Sequence, residues 1–128
     1  MPTQVDLDVH IQLDLDDSPT SPSVARAFVR KALSQCPDYL IRTAELLTSE
    51  LVTNAIVHGA LPIGLEVDMD SKIVTVAVTD GGRRRPVMLE SDRSALHGRG
   101  VRIIDNLADV WGVRSQGPSK TVWFILTT

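Results

Sequence analysis

The sequence predicts an α+β fold of two layers, with three helices backing a mostly antiparallel sheet. Three observations predict it. The element order reads strand, helix, helix, strand, strand, loop, helix, strand, strand. The strand candidates at 63–69 and 73–80 are close enough to form a hairpin, which makes them antiparallel neighbours. The helix candidates carry an apolar stripe on one side, which needs a sheet face to cover it.

Each element has a local reason. Residues 5–15, "VDLDVHIQLDL", put Val5, Leu7, Val9, Ile11, Leu13 and Leu15 on one face and Asp6, Asp8, His10, Gln12 and Asp14 on the other. Period two with one apolar face is a half-buried strand. Its long, clean alternation places it near a sheet edge, and a homodimer or partner interface is expected on residues 5–15 or on the adjoining helix at 21–35. "DDSPTSPS" then breaks the pattern. Ser21 is read as an N-cap and Pro22 as the first helical residue. Val24, Phe28 and Ala32 continue at helical spacing to about Gln35, and Pro37 ends that helix. A second helix spans 38–58, with Ile41, Ala44, Leu47, Leu51 and Ala55 as its stripe, and Gly59 is expected as a left-handed C-cap. After the hairpin, 81–97 is irregular. A third helix is expected over about 100–109, with Val101, Ile104 and Leu107 buried. Strands at 110–116 and 120–127 close the chain.

Bulk composition narrows the function. The chain has 128 residues, 43% hydrophobic and 23% charged, as one globular domain over 1–128 would. A net charge of −3 gives nonspecific nucleic-acid binding no support. Cys36 is the single cysteine, which excludes an intrachain disulfide and offers no metal pattern. No apolar run approaches the ~20 residues of a membrane span. "MPTQVDLDVH" lacks the basic and apolar segments of a secretory signal, so the expectation is cytoplasmic.

Three places break the local rules. Glu50, Asn54 and His58 are spaced four and four, so they form a polar stripe on a largely apolar helix. A carboxylate and an amide oxygen one turn apart can share a hard cation such as Mg²⁺, directly or through water. The same stripe also suits a plain polar edge at a sheet margin. Next, Val74, Val76, Val78 and Asp80 share one strand face, so an apolar face ends in a carboxylate. Such a group needs a donor: an arginine from 83–85, a backbone turn, or the amino group of a ligand. Gly82 leaves room there for a flat ligand. Finally, "HGRGVRIIDN" at 97–106 opens a helix with Gly98, Arg99 and Gly100. Free N–H groups and the helix dipole suit an anion, although a glycine hinge has the same appearance. Ile103 stands where a dinucleotide fingerprint has its third glycine, and no Gly-Lys-Ser/Thr follows. Together the three are the parts of a nucleotide site.

The motifs resemble a known family. "ELVTNAIVHG" (50–59) resembles the N-box of the GHKL ATP-binding superfamily, "VTDGG" (78–82) its D-x-G box, "HGRGVRIIDNLADVWGV" (97–113) its second glycine box and "KTVWFIL" (120–126) its closing strand. The short form resembles the branch of anti-sigma-factor serine/threonine kinases. The resemblance covers about 20–127 and implies a Bergerat-type sandwich, with a mixed, mostly antiparallel sheet. It implies ATP and Mg²⁺ as cofactors. It assigns Glu50 as general base, Asn54 as metal ligand, Asp80 as acceptor for the adenine amino group and Gly82 as a lining of the base. Gly98, Arg99, Gly100 and Val101 fall on its phosphate-binding segment. Thr121 would hydrogen-bond near Asp80 or reach adenine through water, and His58 lies on the ligand side. One departure is Arg84, where the family often has a further glycine. Another is the loop from Arg83 to His97, short for an ATP lid.

The implied function is a regulatory kinase acting on a small anti-anti-sigma-like protein, with a sigma factor as a possible second partner and no nucleic acid or membrane contact. The alternative is a nucleotide-gated binding module with little catalysis, in which ATP shifts partner binding only through differential affinity.

Overall fold

A computed structural model describes residues 9–82 and 98–128, with side chains described for 9–82 and 103–128. Residues 5–8 of the expected first strand and the expected lid at 83–97 lie outside the described residues. The elements are β1 (Val9–Leu15), α1 (Ser21–Ala32), α2 (Asp38–His58), β2 (Ile63–Asp70), β3 (Ile73–Asp80), α3 (Gly98–Leu107), β4 (Val110–Gln116) and β5 (Ser119–Thr127).

The five strands form one sheet in the order β1-β2-β3-β5-β4. All four pairings are antiparallel, so the antiparallel majority expected extends to the whole described sheet. Strand β1 lies at an edge, as its alternation predicts, and β4 lies at the other. Register builds the core in rows. Ile11, Val67, Val76, Phe124 and Trp111 stand side by side across the sheet, and Val9, Met69, Val74 and Leu126 form the next row. Val67, Val74, Val76 and Phe124 are fully buried. Helices α1 and α2 pack on each other, α1 over β1 and β2, and α2 over β3, β5 and α3. Ala44, Leu47, Leu51 and Ala55 of the expected α2 stripe are buried. Outside the core, Arg30 forks onto Glu45, with Nε 2.7 Å from Oε2 and Nη2 2.9 Å from Oε1, tying α1 to α2.

Several local expectations are corrected. Thr20, not Ser21, is the N-cap of α1, and it makes no side-chain cap bond. Ser21 is already helical; its hydroxyl turns back to Asp16, 2.8 Å from both the carbonyl and Oδ1. Helix α1 ends at Ala32, with Leu33 as C-cap, short of Gln35. Gly59 caps α2 in an extended conformation (φ −105°, ψ −154°), not a left-handed one. Leu107, expected on the buried face of α3, is exposed. Helix α3 starts at Gly98, so both glycines fall in its first turn.

Candidate functional site

Strand alternation carries Asp80 onto the helix-facing side of the sheet, one step beyond Val78. The residue is 2% exposed. Its carboxyl fills the space that a β-carbon on Gly59 would need, so the end of α2 is packed directly on it. Gly81 donates its N–H to the Ala60 carbonyl at 2.6 Å and fixes the turn after β3 against the end of α2. Gly82 follows with φ +49°, a left-handed conformation that glycine adopts without strain. A β-carbon there would strike the Pro118 carbonyl and come within 3.3 Å of Asp80 Oδ1.

The Asp80 carboxylate is partly satisfied. Burial pushes its carboxyl up from the usual carboxylate range, while the Lys120 charge and the Gly82 and Ala60 amides act in the opposite direction. Among the described residues, Oδ1 is buried with no hydrogen-bond partner. An orphaned buried acceptor costs about 1–3 kcal/mol and marks a place where a donor belongs.

On α2, Glu50, Asn54 and His58 are each partly exposed, as a polar stripe at the margin of a core helix should be. Among the described residues, no group of three His, Cys, Asp or Glu could enclose a metal ion. Glu50 and Asn54 carry oxygen donors of the kind a hard cation takes alongside water. On α3, the first four backbone N–H groups belong to Gly98, Arg99, Gly100 and Val101, and such groups have no partner within a helix. The side chains of these four lie outside the described residues.

On strand β5 the register sets Lys120, and not Thr121, opposite Asp80, and it sets Thr121 opposite Thr79. The Thr121 hydroxyl lies 2.7 Å from that of Thr79, on the sheet face away from Asp80. Lys120 Nζ lies 3.7 Å from Asp80 Oδ2. The register of β5 on β3 decides this, because residues 122–126 are apolar at every position and alternation alone does not. Val122, Phe124 and Leu126 are the apolar partners of β3, so even-numbered positions of β5 face the helices.

A buried carboxylate between two glycines, a carboxylate-and-amide stripe on the neighbouring helix and a helix N-terminus opened by glycines define a nucleotide-binding α+β domain. A family model described as "Histidine kinase-like ATPase domain" matches residues 15–126, and the chain belongs to that family. Its fold is similar to the crystal structure of the RsbU and RsbW domains of Rv1364c from Mycobacterium tuberculosis, with a TM-score of 0.69 and 17% identity. That match covers 93% of this chain and 32% of the other, so the chain spans about a third of that protein. A comparison with curated proteins gave no match. No helix among the described residues is long and apolar enough to cross a membrane.

Proposed function

We propose that this chain binds Mg-ATP and transfers the γ-phosphoryl group to a serine or threonine of a small regulatory protein, in the manner of anti-sigma-factor kinases. The observation that carries the reading is Asp80, buried on an apolar face with Oδ1 lacking a donor. The adenine amino group supplies that donor. Asn54 would hold Mg²⁺, which would supply charge neutralisation at the phosphates. The backbone amides from Gly98 to Val101 receive phosphate oxygens. Glu50, one helical turn before Asn54, takes the proton from the attacking hydroxyl. That hydroxyl oxygen bonds to the γ-phosphorus as the bond to the ADP oxygen breaks.

The test is transfer of radiolabelled phosphate from ATP to candidate partners encoded nearby, with wild type and Glu50→Ala side by side. Base catalysis is typically worth about 10²–10⁴-fold, so transfer should vanish in the variant while ATP affinity stays within a few-fold. Equal transfer by both removes Glu50 as the base. Tight Mg-ATP binding without transfer to any partner favours the nucleotide-gated module.

A further inference from the structure

Lys120 is the group in the site that the proposed reaction leaves unused. Its side chain is 12% exposed and faces the Asp80 side chain, itself 3% exposed. Lysines are rarely buried to this extent without a partner. The 3.7 Å separation between Nζ and Oδ2 neutralises charge but is too long for a good hydrogen bond. An ammonium has three donors and no acceptor. Among the described residues, the unpartnered Oδ1 acceptor of Asp80 therefore stands beside the Lys120 ammonium.

We propose that Lys120 is a specificity-determining residue that reads N1 of adenine while Asp80 reads the 6-amino group. The proposal rests on the nucleotide reading above. Adenine carries a donor at the 6-amino group and an acceptor at the adjacent N1, on one edge. Asp80 and Lys120 present the complementary order. Guanine in the same pose reverses both positions, with O6 toward the carboxylate and N1–H toward the ammonium. Each mismatch leaves a buried group unpaired, the situation in which polar sites discriminate most strongly. Before a base enters, Lys120 lies beside Asp80 as its counter-charge. With the base bound, the same ammonium turns its free protons to N1. Placing the cation on β5 directly opposite Asp80 gives both roles to one side chain.

The experiment is calorimetric titration of wild type, Lys120→Met and Lys120→Arg with ATP, 1-deaza-ATP (which lacks only the N1 acceptor) and GTP. Wild type should bind ATP on the order of tenfold more tightly than 1-deaza-ATP, the usual effect of one charge-assisted hydrogen bond. Lys120→Met should bind the two alike and discriminate less against GTP, while Lys120→Arg should keep part of the difference. The wild-type comparison needs no variant to fold. Equal binding of ATP and 1-deaza-ATP by wild type overturns the role of Lys120 and leaves the ATP site standing. Undiminished discrimination in Lys120→Met also overturns it, because another group would then read N1. Failure of wild type to bind any adenine nucleotide overturns the nucleotide reading itself.

Discussion

The carboxyl of Asp80 occupies the volume that a β-carbon on Gly59 would need, so the last turn of α2 and the end of β3 share one tightly packed contact. Gly59 is required there for space, since its φ of −105° is open to any residue. Gly59→Ala should displace Asp80, lower stability by about 1–3 kcal/mol in urea unfolding and weaken ATP binding. Unchanged unfolding and binding together would show that the contact is slack.

Magnesium dependence should run through Asn54. Asn54→Ala should keep the fold and nucleotide binding in chelator, yet lose the gain in affinity that Mg²⁺ gives wild type. An equal Mg²⁺ effect in both proteins removes Asn54 from the metal shell.

The β1–β2 pair carries a pH signature. His10 Nδ1 and Asp68 Oδ1 lie 2.5 Å apart across the two strands. The hydrogen bond to Asp68, then its charge, raise the imidazole above its ordinary 6.5. The folded value exceeds the unfolded one, so the stabilisation is complete below pH 6.5 and fades as pH rises through the folded value. The pair is exposed and its effect small. Melting of wild type and His10→Gln should differ on the acid side and converge in alkali. A gap that widens in alkali contradicts the assignment.

Strand β1 ends the sheet. An exposed edge is a template for another chain, and we expect a homodimer or a partner interface there or on α1. Light scattering that gives a monomer at high micromolar concentration, with and without nucleotide, eliminates the dimer.

How much of this was legible in the sequence depended on whether the signal was local. Pro37 and Gly59 bracket α2, and its expected bounds of about 38–58 agree with the helix observed. Alternation alone put Asp80 on the buried face. The identity of its neighbour was not local: it follows from the register of β5 on β3, which sets Lys120 and not Thr121 opposite Asp80. The conformation of Gly59 was equally out of reach, because it answers to a side chain more than twenty positions away. Leu107 fits a helical stripe but lies exposed, since burial depends on which element covers a face.

Asp80→Asn tests the account most directly. The account holds that this buried carboxylate receives the adenine amino group. Replacing one oxygen by an amide donor should weaken ATP binding by about tenfold or more in calorimetry, with circular dichroism showing the fold intact. A folded Asp80→Asn protein that binds ATP as tightly as wild type would contradict the account at its centre.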